Sequence, residues 1–308
     1  MITTPTVLVL GAGASHPYGF PTGERLKREI CAAFSAPDTA AAQLLYPPFS
    51  ETAGFFEFRE AFLKSGQPSI DAFLQHRRNF LNVGKLAIAY CLIPCESELH
   101  LYEMSDPARG GDWYQYLSEK LDAPFERFGE NRLSIITFNY DRSLEHYLLN
   151  ALENSHAQRR EECARALARI PIIHVHGQLG RRPYPEDGCR QYSQHLQDYR
   201  EASEAAAGIT LLNEETSGSL EHARELLTAA ERIAFLGFGY HPVNVKRLAI
   251  DTANIASKFI IGTTRGLLGK EVQDVQNRIH AAFGSLLSVP QYPDEDSLTL
   301  LRSTMFLG

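Results

Sequence analysis

The sequence is poor in the residues that hold small scaffolds together by cross-links. Its five cysteines, Cys31, Cys91, Cys95, Cys163 and Cys189, are odd in number and form no CxxC pair, which argues against a disulfide framework and against a zinc ribbon. Long apolar runs are also missing: none approaches the roughly 18–20 residues of a membrane span. Met1-Ile2-Thr3-Thr4-Pro5 has no basic stretch ahead of an apolar one, so no export signal is read there. A cytoplasmic protein away from the membrane is expected. There is no excess of positive charge either. With 30 Lys and Arg against 37 Asp and Glu, the formal charge is -7, and direct binding to nucleic acid is not expected. No internal repeat or low-complexity tract is present.

What the chain does have is enough apolar content, 44% of 308 residues, for one large core or a core domain with an insertion. Short β-branched or continuously apolar runs at Val7 to Leu10, Ser134 to Phe138, Ile170 to Val175, Ile233 to Leu236 and Phe259 to Ile261 read as parallel strands covered on both faces. A last strand is expected near Leu286 to Val289. Amphipathic stretches lie between them at Gly23 to Phe34, Asp141 to Leu152, Leu220 to Ala230, Pro242 to Ala253 and Glu271 to Phe283. The alternation predicts an α/β fold with a Rossmann-like, doubly wound parallel sheet.

One connection is too long for that scheme. Nearly a hundred residues separate the first helix from the second strand, and a structureless loop of that size is improbable. We therefore expect a core formed by 1–34 and 131–308, carrying a helical insertion over 35–130. Ser69-Ile70-Asp71 has the form of a cap and first turn, and Asp112 to Phe128 carries Trp113, Tyr116, Leu117, Leu121, Phe125 and Phe128 at helical spacing. Ser35 to Pro48 and Arg181 to Gly188 read as loops over a cleft. Phe55, Phe56, Phe58 and Phe62 are candidates for an oligomer contact, although their helical spacing favours a core role.

Three segments carry chemistry. Val7-Leu8-Val9-Leu10-Gly11-Ala12-Gly13-Ala14-Ser15 is a strand running into a glycine turn that can hold phosphates. His16 stands where a dehydrogenase fingerprint needs its third glycine, and no Gly-Lys-Ser/Thr ending marks a phosphate loop of the ATPase type. Thr137-Phe138-Asn139-Tyr140-Asp141 ends a buried run and precedes a helix, so Asn139 and Asp141 face the edge of a cleft or cap that helix. In His174-Val175-His176-Gly177 the imidazoles alternate with Val175 and share one strand face. Gly177 implies a close backbone approach beside His176, which favours His176 as the site residue and His174 as a structural one. Amide, carboxylate and imidazole at successive strand ends point to a dinucleotide rather than a bare nucleotide.

Taken in order, Gly11-Ala12-Gly13-Ala14-Ser15 with Gly19-Phe20-Pro21, Thr137-Phe138-Asn139-Tyr140-Asp141, His176-Gly177 and Gly237-Phe238-Gly239-Tyr240 resemble the sirtuin-like family over the sheet core, though not the insertion. The resemblance implies that NAD+ is the substrate. It implies cofactor contacts from Gly11, Ala12, Gly13, Ser15, Thr22, Asp141, Gly237, Gly239 and Tyr240, with Gly13 and Ser15 near the phosphates and Gly237 and Gly239 on the adenosine side. Asn139 and His176 are the expected catalytic residues, His176 as proton acceptor. Deacylating members carry two CxxC pairs after the His-Gly motif, whereas Gly177 to Arg232 holds only Cys189; no zinc is expected. Thr22-Gly23-Glu24 replaces the Asp-Phe-Arg that in deacylases screens the reactive ribose.

The pattern is closer to zinc-less bacterial sirtuin-like proteins that hydrolyse NAD+ in antiphage defence. That implies an NAD+ glycohydrolase releasing nicotinamide and ADP-ribose or a cyclic isomer. As 308 residues leave no room for a recognisable sensor, activation is expected from homo-oligomerisation or from a separate protein such as a DNA-translocating ATPase or an Argonaute-like protein. The alternatives are a non-catalytic NAD+ or ADP-ribose sensor or scaffold and, after it, an NAD+-dependent deacylase or ADP-ribosyltransferase.

Overall fold

Six short segments pair into a parallel sheet: β1 (Thr6–Leu10), β2 (Leu133–Thr137), β3 (Ile172–His174), β4 (Arg232–Leu236), β5 (Phe259–Gly262) and β6 (Leu287–Ser288). They belong to a computed structural model that describes residues 1–36, 38–45, 53–103, 110–181, 185–210, 217–252, 256–290 and 294–308. The strand order is β3-β2-β1-β4-β5-β6. Leu8 of β1 sits between Ile135 of β2 and Ala234 of β4. In this doubly wound order the winding reverses between β1 and β4, opening a crevice at the carboxyl ends of those strands. The Rossmann-like α/β architecture read from the sequence is therefore the one observed.

The apolar runs are continuous because both sheet faces are covered, with a period of two. Leu8, Leu10, Ile135, Ala234, Leu236 and Ile261 enter one core cluster. Val7, Val9, Ile136, Ile233, Phe235 and Ile260 enter the other. The second cluster is closed by helices Ser217–Ala229, Pro242–Leu248 and Gly269–Phe283. The first is closed by Gly23–Ala33 and Ser143–His156, together with the helices between Ala33 and β2. Those include Ala40–Leu45, Ala53–Lys64, Ile70–His76, Leu81–Leu92, Glu98–Tyr102 and Trp113–Leu121. The described part of the long connection carries these helices, and it shares its core with the sheet. Phe55, Phe58 and Phe62 lie on the buried side of Ala53–Lys64, each contributing about 1.5–3 kcal/mol by burial. Only Phe56 of that quartet is half-buried; the other three form core rather than an oligomer contact.

A buried ion pair fastens this segment to the sheet. Glu96 receives Arg142 in two bonds, Nε to Oε1 at 2.9 Å and Nη2 to Oε2 at 2.7 Å, with both side chains fully buried. Arg190 also donates to Glu96. Breaking such a pair by removing one partner costs several kcal/mol, because a buried charge is left uncompensated.

Several boundaries differ from the sequence reading. The stretch read as a loop from Ser35 contains the helix Ala40–Leu45, while Pro47 and Pro48 lie outside the described residues, as do 182–184 of the second expected loop. The helix expected to continue to Ala253 stops at Leu248: Ala249 turns extended (φ -57°, ψ 136°) and the Ile250 amide donates to Ala282. The pattern from Asp112 to Phe128 is two elements, Trp113–Leu121 and a 3-10 helix Phe125–Glu130. The break precedes Pro124, whose ring disfavours helical backbone in the residue before it.

Candidate active site

The glycine turn after β1 is built against a second one after β4. Gly11 N–H donates to Leu236 O and Gly13 N–H to Gly237 O, both at 3.0 Å. A Cβ on Gly11 would lie 2.6 Å from Gly237 O, and one on Gly13 2.7 Å from Gly237 Cα. Gly237 is left-handed at φ +56°, and its own Cβ would meet Ala14 N at 2.0 Å. These glycines thus let two backbones touch, and the Gly11 and Gly13 amides are committed to that contact before any phosphate arrives. From below, Trp113 Nε1–H donates to Ala14 O at 2.8 Å, and the Trp113 side chain is fully buried.

At the end of β2, Asn139 is held by its own donors. Its Nδ2 gives hydrogen bonds to Gly11 O and Ser15 Oγ, both at 3.0 Å, and its backbone N–H donates to Thr137 Oγ1 at 3.0 Å. A carbonyl oxygen can only accept, so Gly11 O fixes the orientation of the amide and leaves Oδ1 as the acceptor it presents. Asp141 stands one residue before the Arg142 N-cap of the following helix and holds its first residue: its Oδ1 accepts from Ser143 N at 3.2 Å and from the Ser143 hydroxyl. Burial raises the pKa of Asp141 above the usual carboxylate value, and hydrogen bonds from Ser143 and Ser15 oppose the shift. Asp141 thus holds the entry to the helix and Asn139 bridges the strand ends.

The two histidines do not share surroundings. β3 ends at His174, and the chain then turns, with Gly177 N–H donating to His174 O at 3.3 Å and Thr210 N–H to His176 O at 2.8 Å. His174 Nδ1–H donates to Asn139 O at 3.0 Å and Nε2 pairs with Glu145. Burial disfavours its charge, yet Glu145, the Asn139 carbonyl and Asp141 together hold its pKa above the ordinary histidine value. His176 is 3% exposed. Its ring stands edge-on to Phe138 at 5.3 Å, and among the described residues its buried Nδ1 meets no hydrogen-bond partner. Burial lowers its pKa, Asp71 pulls it back up and Arg247 lowers it further, so the neutral form of His176 is favoured. The close approach expected at Gly177 is to the Gly208 carbonyl, 2.1 Å from where a Cβ would stand.

These groups meet in a cavity of roughly 710 Å³ across the β1/β4 crevice, within the range of about 300–1,000 Å³ typical of small-molecule clefts. Gly11, Ala12, Gly13, Ser15, Thr22, Asn139, Asp141, His176, Gly237 and Gly239 all line it. Tyr240 does not: it is 1% exposed within the second core cluster, and its hydroxyl lies against Gly262, 2.0 Å from where a Cβ there would be. The family resemblance implied its inclusion, but Tyr240, left-handed at φ +50°, packs its ring into the second core cluster. Sequence reading missed Asp71, Asn244, Arg265 and Asp296, which line the cavity from the long helical connection, from the helix Pro242–Leu248 and from the loops after β5 and β6. Only Asp71 carried a signal, the Ser69 cap, whose hydroxyl accepts from Ala72 N–H at 3.3 Å. Among the described residues no group of three or more His, Cys, Asp or Glu side chains is placed to hold a metal ion, and no helix is long and apolar enough to cross a membrane.

No family model matches the sequence, and no curated protein matches it. Among solved structures, a complex of a mutated Sir2 homologue with ADP-ribose is similar, with 17% identity, 90% of this chain and 92% of that one covered, and a TM-score of 0.29. The fold stands on the strand order above, and the chemistry on the geometry of the site.

Proposed function

We propose that this cavity binds NAD+ and hydrolyses its nicotinamide–ribose bond to give nicotinamide and ADP-ribose or a cyclic isomer. The observation that carries the reading is the convergence of an orientationally fixed Asn139 and a buried, neutral His176 on one cavity at the switch point of a doubly wound sheet. A buried polar atom without a partner costs about 1–3 kcal/mol, and the ring that bears it lines the cavity.

Nicotinamide departs as a neutral base from a cationic pyridinium, so no acid is needed for the leaving group. The site has to orient the ribose, tolerate an oxocarbenium-like carbon and present water. Asn139 Oδ1 is suited to accept a hydrogen bond from that water, leaving an oxygen lone pair for C1′. The C1′–N bond breaks with its electron pair remaining on the pyridine nitrogen. The new C1′–O bond forms, and the water's proton passes to His176 and on to solvent. Negative charge from Asp71, one of several carboxylates lining the cavity, favours the developing cation.

The motif resemblance extends this reading to a regulated effector of bacterial antiphage defence, acting in the cytoplasm as a homo-oligomer and released by a separate sensor such as a DNA-translocating ATPase or an Argonaute-like protein. The test is chromatography of nicotinamide and ADP-ribose after incubation with NAD+, alone and with such partners, for wild type and for Asn139→Ala and His176→Ala. Turnover lost in both variants, with NAD+ still bound, is expected. Binding of NAD+ without turnover under every condition would make the protein a sensor, and no binding would end the proposal.

A further inference from the structure

Beyond the strand ends, the long helical connection contributes an acidic group to the same cavity. We propose that Asp71 is the positioning carboxylate for His176: anchored by Tyr140, it stabilises the imidazolium that His176 becomes when it takes the proton. This rests on the reading of His176 as proton acceptor.

Asp71 is the second residue of the helix Ile70–His76. An acidic residue in a first turn ordinarily just complements the helix dipole. Here, however, Asp71 Oδ1 accepts the Tyr140 hydroxyl, a bond that leaves its own helix for the end of β2. Both residues line the cavity with His176, and the Tyr140 and His176 rings are 6.2 Å apart. The carboxylate has little freedom to swing away. Its helix is capped by Ser69 and pinned by Phe73, which packs against Phe62 at 5.0 Å and Phe58 at 5.9 Å. Among the described residues, Asp71 favours the protonated form of His176 and Arg247, from the helix Pro242–Leu248, opposes it.

The interaction is differential, which makes it useful for the reaction. A neutral imidazole gains little from a nearby carboxylate, whereas an imidazolium in a buried site gains substantially. Asp71 therefore lowers the free energy of the state reached during proton transfer more than that of the resting state.

The test combines an NMR titration of His176 with nicotinamide release as a function of pH, for wild type, Asp71→Asn, Asp71→Glu and Tyr140→Phe. With Asp71→Asn, the titration midpoint of His176 falls by roughly half a unit or more. The acid limb of kcat/KM moves to lower pH by the same amount, and kcat drops about tenfold or more with KM little changed. Asp71→Glu restores part of each effect. Tyr140→Phe, which keeps the charge and frees the carboxylate, shifts the midpoint less, and it serves where Asp71→Asn does not fold. A His176 midpoint unmoved in Asp71→Asn, or in Tyr140→Phe and Asp71→Glu where the first does not fold, overturns the proposal. A midpoint that moves in a protein without NAD+ turnover leaves this electrostatic coupling standing and removes the hydrolase reading instead.

Discussion

Gly237→Ala tests the contact on which the whole cavity is built. At φ +56° an alanine carries a cost of about 1–2 kcal/mol. Its Cβ would stand 2.0 Å from Ala14 N and 2.2 Å from Gly13 C, and because both are backbone atoms, no side chain can rotate away. Displacing a packed backbone adds about 1–3 kcal/mol. Lengthening the bonds from Gly11 N–H and Gly13 N–H to Leu236 O and Gly237 O adds up to about 1 kcal/mol each. The sum is about 4 kcal/mol. With a urea m-value of about 3 kcal/mol/M, the unfolding midpoint should fall by roughly 1.3 M, and weakened ligand binding should accompany it because the Gly11–Ser15 turn is pushed out of place. Gly239→Ala is the control. Gly239 lines the same cavity, has no atom within 4 Å of an added Cβ, and should change stability by no more than about 0.5 kcal/mol. Equal stability loss in the two variants would refute the account of the turn as a backbone contact.

Two further outcomes follow from the buried polar groups. Tyr240→Phe removes a hydroxyl that is buried without a partner among the described residues, so stability should hold or rise by up to about 1 kcal/mol and NAD+ affinity by calorimetry should not change; a marked loss of affinity would return Tyr240 to the site. His174 has a folded pKa above its unfolded value, so its pairing with Glu145 stabilises fully below an unfolded pKa of about 6.5 and fades as pH rises through the folded value. The difference in urea midpoint between wild type and His174→Gln should accordingly be larger at pH 6 than at pH 9, and an equal difference at both would count against a charged His174.

The strands were legible because burial on both faces leaves continuous apolar runs, as in Val7 to Leu10 and Ile233 to Leu236. Their order was not, since which strand pairs with β1 depends on how the long connections pack. Helix ends failed where tertiary bonds outbid periodicity, as at Ile250, whose amide is claimed by Ala282. Of the site, the motif-bearing segments at the strand ends were legible, although His174 and His176, read as sharing one strand face, are separated by the turn that follows β3. What could not be read was which partner each group would meet. Asn139 is tied to the β1 turn 128 residues away, and Asp71 reaches the cavity from a helix whose sequence shows only a capped, amphipathic turn.

Trp113 is the only tryptophan in the chain, and its indole is bonded to the carbonyl of Ala14 inside the glycine turn. The molecule therefore carries a single indole, shielded from solvent and bonded to the wall of its own cavity. Excited beyond the absorption of the tyrosines, its emission reports on the surroundings of that turn, without labels and without turnover. Occupancy of the cavity by NAD+, ADP-ribose or an inert analogue can be followed at one wavelength in the unmodified protein.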